Sequence, residues 1–105
     1  MTVAVKKANT LEEGVANIID AMKRDYAQTG YSNEENYEVK EGRKYFKIIR
    51  NNQVCSFVSK VDFKHFKKGD VLFAASWNAP ALNSPRGNVF EEGYPMKWTG
   101  PLYLK

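Results

Sequence analysis

The chain of 105 residues is 43% hydrophobic, 13% aromatic and 27% charged, with a formal net charge of +4. This composition is ordinary for one globular domain, which we expect to span residues 1–105, and the single cysteine excludes an intrachain disulfide. No stretch is apolar and long enough for a signal peptide or a membrane span. The sequence therefore predicts a soluble cytoplasmic protein with no membrane partner.

The charges are unevenly distributed along the chain. Residues 1–42 hold five basic and eight acidic side chains, whereas residues 43–105 hold eleven basic and four acidic ones. One interpretation is a basic face that attracts phosphates or acidic partners. The other is that the lysines only keep a small sheet soluble and its edges unpaired.

The amino-terminal third predicts an amphipathic helix, preceded by a short strand or arm at Val3 and Val5. Thr10 can cap this helix, and Glu13 follows three residues later, as in a capping box. Gly30 suits the left-handed position that ends a helix, so we expect the helix to span about residues 11–29. Its apolar residues recur at steps of three and four, which predicts a packed stripe of Leu11, Val15, Ile18, Ile19, Met22 and Tyr26.

From about residue 36 onward, the apolar period changes to two, which indicates strands. We expect a short strand at Tyr37 and Val39, and longer strands at 44–50 and 53–60. Asn51-Asn52 fits a two-residue hairpin loop, because Asn tolerates positive φ. Further along the chain, 61–68 fits a short helical turn, 71–77 a buried strand and 78–88 an irregular loop, and short strands follow at 88–90, 94–98 and 102–104.

These elements define the predicted fold class, which is α+β. We expect one amino-terminal amphipathic helix packed on a curved antiparallel sheet of five or six strands, formed by about residues 36–105. The same strands rolled into a small barrel are the alternative.

Four segments of the chain form a recognisable pattern. They are Phe66-Lys67-Lys68-Gly69-Asp70-Val71-Leu72, Ala75-Ser76-Trp77-Asn78-Ala79-Pro80-Ala81, Pro85-Arg86-Gly87-Asn88-Val89 and Trp98-Thr99-Gly100-Pro101-Leu102-Tyr103-Leu104. This pattern resembles the carboxy-terminal half of small uncharacterised proteins encoded by tailed bacteriophages. The resemblance covers about residues 44–105 and does not extend to the helix. It implies a viral protein that acts in the cytoplasm of a bacterial host, and it supplies no activity and no functional residues.

Side chains suited to catalysis are few and isolated. His65, the single histidine, has Asp62 nearby but no serine or cysteine nucleophile in sequence reach. Cys55 lies in a predicted strand among apolar residues, where a thiol is usually inert. One Cys and one His do not make a zinc site, and the scattered glycines form no phosphate-binding pattern. The sequence thus predicts a non-enzymatic protein with no catalytic site, no metal and no cofactor.

A basic surface is the first candidate site. Eight cations lie within residues 43–68, next to Tyr45 and Phe57, with Asp62 as the only acid. Cations interleaved with aromatic rings on a small sheet are typical of single-stranded nucleic-acid binding, although the same rings are also needed for the core. The predicted nucleic-acid-binding residues are Arg43, Lys44, Lys47, Arg50, Lys60, Lys64, Lys67 and Lys68.

The loop that follows Trp77 is the second candidate site. Trp and Arg often dominate binding energy at interfaces, and prolines reduce the entropy lost on binding. An acidic host protein is the partner this hypothesis implies. The alternative is structural, with Trp77 covering one end of the sheet and Arg86 pairing with the Glu91-Glu92 turn. The predicted partner-binding residues are Trp77, Asn78, Pro80, Leu82, Pro85, Arg86 and Asn88.

The oligomeric state is left open between a monomer and a homodimer. A sheet that ends in Leu102-Tyr103-Leu104 could pair its edge with that of a second copy.

Overall fold

The computed structural model describes residues 2–30 and 35–101. Within them the chain forms one helix, α1, and eight strands. In chain order, these are β1 Val3–Ala4, α1 Leu11–Ala27, β2 Tyr37–Glu41, β3 Tyr45–Arg50, β4 Gln53–Ser59, β5 Asp70–Phe73, β6 Gly87–Asn88, β7 Pro95–Lys97 and β8 Gly100–Pro101.

The strands form two antiparallel sheets, which confirms the α+β class but corrects the expectation of one sheet. Five strands are ordered β2-β3-β4-β5-β6, and three are ordered β1-β7-β8. The five-stranded sheet stays open, with β2 and β6 at its edges, so the barrel alternative has no support. The predicted strand at Leu102 to Leu104 lies outside the described residues.

Helix α1 begins as the sequence predicts. The Thr10 side chain accepts a hydrogen bond of 3.1 Å from the Glu13 amide, and the Glu13 carboxylate accepts one of 2.9 Å from the Asn9 amide. The helix ends at Ala27, two residues earlier than predicted, and Gly30 follows with φ +82. Its buried stripe packs against β1, β7 and β3, so this stripe is part of the core.

The β3–β4 hairpin also forms as predicted. Asn51 and Asn52 have φ values of 48° and 66°, which is the left-handed conformation that a two-residue hairpin loop requires. The register shifts between Ile48 and Ile49, where Cys55 is the extra residue on β4. A bulge of this kind bends the strand and raises its local twist.

The two faces of the five-stranded sheet are covered differently. Phe46 and Ile48 of β3 face the cluster that contains the helix stripe. The other face carries Phe57, which packs with Phe66 and Leu72 beneath the 61–69 loop.

Two local predictions around this second face were wrong. Residues 61–68 form no helical turn, because Phe63 and Phe66 exchange two backbone hydrogen bonds across a tight turn in which Lys64 has φ 52°. Strand β5 ends at Phe73 and does not continue to Trp77.

In the part of the chain that the structure describes, no helix has the length and apolar character needed to cross a membrane.

Candidate functional site

A basic pocket of about 250 Å³ opens on the sheet face that points away from α1. Strand alternation creates it, because Tyr45 and Lys47 alternate with the core residues Phe46 and Ile48 and so face the opposite side. The β2–β3 turn closes one end, and Asn78 reaches it from the loop after β5. The pocket is lined by Lys40, Glu41, Gly42, Arg43, Lys44, Tyr45, Lys47, Phe57 and Asn78.

The charge of this pocket is strongly positive. Four cations line it, namely Lys40, Arg43, Lys44 and Lys47, against the single carboxylate of Glu41. That carboxylate pairs with Lys60, whose ammonium group also donates a hydrogen bond of 2.9 Å to Gly42 O. Glu41 is therefore largely neutralised from outside the pocket. Lys40 lies 3.9 Å from the exposed Glu38, a loose pair that a phosphate can replace, so all four lining cations can attract an anion.

Aromatic rings lie next to these cations. The Lys47 ammonium lies 5.0 Å from the Trp77 ring centroid, and the Lys40 ammonium lies 5.8 Å from the same ring. Lys44 lies 4.6 Å from the Phe63 centroid, which connects the pocket to the 61–69 loop. Each such cation–π contact contributes about 0.5–1 kcal/mol at an exposed site. The rings therefore hold the lysines close to the sheet.

Trp77 owes its position to a tight turn after β5. Ala74 forms a bridge with Pro80, and the amides of Ala75 and Ser76 both donate to Ala79 O. The turn leaves 45% of Trp77 exposed at its tip. Burying so large an aromatic surface is favourable, so an open indole beside Lys40 and Lys47 is a ready stacking surface.

The structure does not bring Arg50 and Lys60 into the pocket. Arg50 alternates with Lys47 and faces the helix side, where its guanidinium lies 4.9 Å from the Tyr26 ring and 4.6 Å from the Trp98 ring. It also pairs with Glu35 at 3.3 Å, and only 12% of its side chain is exposed. Lys60 pairs with Glu41 and lies over Phe46, a residue of the helix-side core.

The remaining predicted cations, Lys64, Lys67 and Lys68, are exposed on the 61–69 loop beside the pocket. Their backbone is firmly held, since the Lys67 amide donates to Asp70 and the Lys68 amide donates to Asp62. Among the described residues, no acidic side chain forms an ion pair with these three lysines. They extend the positive surface beyond the pocket rim.

The predicted partner-binding loop divides into structural and exposed residues. Pro80 is buried, and Pro85 is half-buried. Arg86 donates to Asn83 Oδ1 and Ser84 O and lies 5.2 Å from the Phe73 ring, and burial lowers its pKa.

Asn88 is likewise structural. Its amide nitrogen donates to Lys68 O and Asp70 Oδ1, and its amide oxygen accepts from the Phe90 amide. The loop is thus braced from within, and it leaves exposed Trp77, Asn78 and Leu82, the last at 46%.

His65 and Cys55 lie apart from the pocket lining. The His65 ring packs 4.1 Å from that of Phe66, and its Nε2 bonds to Asn83 O. Cys55 is buried, and burial raises the pKa of its thiol. Among residues 2–30 and 35–101, no three His, Cys, Asp or Glu side chains are grouped closely enough to hold a metal ion.

Lys40 is a pocket residue that sequence reasoning did not select. Counting charges from residue 43 left it in the acidic part of the chain. The β2–β3 pairing indicates its position, because Lys40 lies directly opposite Lys47 in the ladder and shares its face of the sheet.

Comparison with known proteins gives one match. The model of a family of unknown function matches residues 2–103 of the chain. No curated protein and no solved structure matches the sequence. What the pocket can bind is therefore argued from its own side chains.

Proposed function

The chain belongs to DUF7717, a family of unknown function, and we propose that this member binds single-stranded nucleic acid without catalysing a reaction. The single observation that carries the proposal is that Lys40, Arg43, Lys44 and Lys47 line one pocket, of which Lys40 and Lys47 also lie against the ring of the exposed Trp77. The resemblance of residues 44–105 to tailed-phage proteins supports a phage-encoded accessory protein in the cytoplasm of a bacterial host.

Phosphate contacts supply the affinity in this proposal. Four cations lie within one pocket, and Glu41, its one acid, is already paired with Lys60. A single strand that follows this pocket can place successive phosphates against Arg43, Lys44 and Lys47. Four neutralised phosphates give a salt slope of about −3, which is a loss of roughly fiftyfold in affinity between 50 and 200 mM salt.

Base stacking supplies the preference for single strands. Trp77 offers an indole that is 45% exposed, and stacking one base on such a ring contributes about 1–3 kcal/mol. The bases of a duplex are already stacked on one another and do not reach the indole. Asn78 lines the same pocket, and its amide can both donate to and accept from a base edge.

The test is fluorescence anisotropy with a labelled single-stranded oligonucleotide of about twelve nucleotides, titrated at two salt concentrations. Lys47→Ala is expected to weaken binding and to reduce the salt slope by about 0.7. Trp77→Ala is expected to weaken binding by roughly tenfold, mainly at the stacking step.

Lys6→Ala is the matched control, because Lys6 is an exposed cation that lies outside the pocket lining. It removes the same charge and should leave the affinity nearly unchanged. An absence of binding at low salt would end the proposal. If Lys6→Ala and Lys47→Ala lowered the affinity equally, binding would be a nonspecific effect of net charge and the pocket would not be the site.

A second function is favoured by one observation on the neighbouring loop. Trp77 and Leu82 are 45% and 46% exposed on a backbone that is braced from within, which suits docking on a host protein whose activity it alters. Capture of the tagged protein from bacterial lysate with and without nuclease separates the two functions. One stoichiometric band that survives nuclease and is lost in Leu82→Ser favours the protein partner.

A further inference from the structure

Strand β2 is an open edge of the five-stranded sheet, and most of its residues are exposed. It pairs with β3 on one side, and no strand of the described chain pairs with the other side. Four of its five residues, 38–41, are exposed, and Val39 is 42% exposed. Natural proteins usually protect such an edge, because its free amides can pair with another chain.

The backbone groups that face this open edge can be identified from the β2–β3 ladder. Asn51 N donates to Asn36 O, and Gly42 N donates to Tyr45 O, both at 2.8 Å, at the two ends of the strand pair. Because bonded and non-bonded pairs alternate in an antiparallel ladder, Glu38 and Lys40 bond to β3. The amides and carbonyls of Tyr37, Val39 and Glu41 therefore point outward.

The charges of β2 are self-complementary about Val39. When two copies of the strand run antiparallel with Val39 opposite Val39, each Glu38 lies opposite a Lys40 of the other copy. This register pairs the outward-facing residues with one another, Val39 with Val39 and Tyr37 with Glu41, which forms six backbone hydrogen bonds. A register centred on Glu41 would instead oppose two carboxylates.

We propose that β2 pairs with the β2 strand of a second copy in this register, so that two five-stranded sheets join into one continuous sheet about a two-fold axis at Val39. The axis is perpendicular to the sheet, so the pocket face of one copy continues into the pocket face of the other. The Lys40 side chains of both copies therefore lie on the same surface of the joined sheet. This homodimer does not depend on the nucleic-acid function.

The interface has an apolar centre and charged flanks. The two Val39 side chains become neighbours on the helix-side face, and the two Glu38–Lys40 pairs lie on the pocket face. Within one chain, Glu38 and Lys40 form a loose ion pair of 3.9 Å, and both are more than half exposed, so each can exchange this pair for its partner across the strands. Five residues make a small interface, and we expect a reversible dimer with a dissociation constant on the order of 10 μM.

The test is analytical ultracentrifugation over a range of concentrations. The wild-type protein is expected to double its mass as concentration rises. Glu38→Lys places lysine opposite lysine in both cross-strand pairs, and Lys40→Glu places glutamate opposite glutamate, so each should weaken the dimer roughly tenfold or more. The double variant carrying both changes restores opposite charges and should recover the dimer.

Mixing the two single variants provides a second control. Glu38→Lys and Lys40→Glu chains are complementary only to each other, so their mixture should form a heterodimer although each alone stays largely monomeric. Wild-type protein that remains monomeric at about thirty times the expected dissociation constant overturns the proposal. A wild-type dimer that neither single variant weakens overturns the register.

Amide hydrogen exchange tests the same register without any substitution. In dilute protein the amides of Tyr37, Val39 and Glu41 should exchange quickly, whereas those of Glu38 and Lys40 are protected by β3. In concentrated protein the first three should become protected as well. Protection that does not change with concentration contradicts the dimer.

Discussion

Asp25 accepts a hydrogen bond of 2.8 Å from the backbone amide of Trp98, 73 residues further along the chain. Asp25 is only 3% exposed and lies near the end of α1, whereas Trp98 directly follows β7. The bond thus joins the end of the helix to the three-stranded sheet. A buried carboxylate that accepts a hydrogen bond from a backbone amide is a stabilising contact.

Asp25→Ala is expected to lower the free energy of unfolding by about 2 kcal/mol, because the half-buried Trp98 amide loses its carboxylate acceptor. Asp25→Asn keeps an oxygen acceptor of the same reach, so its loss should be smaller. Urea denaturation followed by circular dichroism measures both variants. Equal stability of the Ala variant and the wild type would show that this bond contributes nothing.

Stability should fall at alkaline pH because two tyrosines are held protonated in the folded state. Burial raises the pKa of Tyr94, whose hydroxyl has no hydrogen-bond partner among residues 2–30 and 35–101. Burial together with a hydrogen bond to Glu35 raises the pKa of Tyr37. In the unfolded chain both ionise near their ordinary value of about 10. Above that pH the unfolded state binds fewer protons than the folded state, so the free energy of unfolding falls as pH rises.

Tyr94→Phe is expected to reduce this alkaline loss. Near neutral pH the same variant should be as stable as the wild type or more stable by up to about 1 kcal/mol, since it removes a buried hydroxyl that has no partner in the described part of the chain. Urea denaturation at intervals from neutral pH to pH 11 gives both quantities. An undiminished alkaline loss in the variant would contradict the assignment to Tyr94.

Gly14→Ala should destabilise the protein although alanine favours helices. A Cβ at Gly14 would collide with Val89 Cβ and lie 2.7 Å from Val89 Cγ1, which forces α1 away from the segment after β6. We expect a net loss of about 1–2 kcal/mol, after a gain of about 1 kcal/mol from helix propensity.

Gly42→Ala is the control for Gly14→Ala. Its nearest contact would be Tyr45 O at an ordinary 3.6 Å, so its free energy of unfolding should stay within about 0.5 kcal/mol of wild type. Thermal denaturation compares the two variants. A more stable Gly14→Ala protein would show that the contact with Val89 relaxes freely.

Asn52→Gly should stabilise the β3–β4 hairpin. Asn52 has φ 66°, a conformation that glycine adopts at no steric cost, and Asn-Gly is the preferred pair in such a turn. We expect a gain of about 0.5 kcal/mol for Gly and a loss of about 1 kcal/mol for Asn52→Ala. The order Gly, Asn, Ala in melting temperature checks this, and any other order contradicts it.

Local signals predicted the elements that local interactions determine. The Thr10 cap, the helix stripe and the Asn51-Asn52 turn each act within a few residues, and all three are present. The division into two sheets had no such signal, because β1 pairs with β7 across some ninety residues of chain. The spacing of Phe63 and Phe66 predicts a helical turn, because the positive φ of Lys64 cannot be read from the positions of the apolar residues.

The candidate site was predicted in part. The sequence predicts Lys44 and Lys47 as cations near Tyr45 and Phe57, and in the structure they lie against those rings. The sequence also predicts Arg50 in the same set, although strand alternation puts Arg50 and Lys47 on opposite faces. It predicts Trp77 at the end of a strand, whereas a turn after Phe73 carries it over the lysines.

The contrast between the two tryptophans has a practical consequence. Trp98 lies beneath the Arg50 guanidinium and edge-on to Tyr26, whereas Trp77 is open at the tip of its turn. Water around Trp77 should shift its emission to longer wavelengths and leave it accessible to a dissolved quencher. The chain therefore carries its own pair of optical reporters, one for occupancy of the pocket and one for the integrity of the helix-side core.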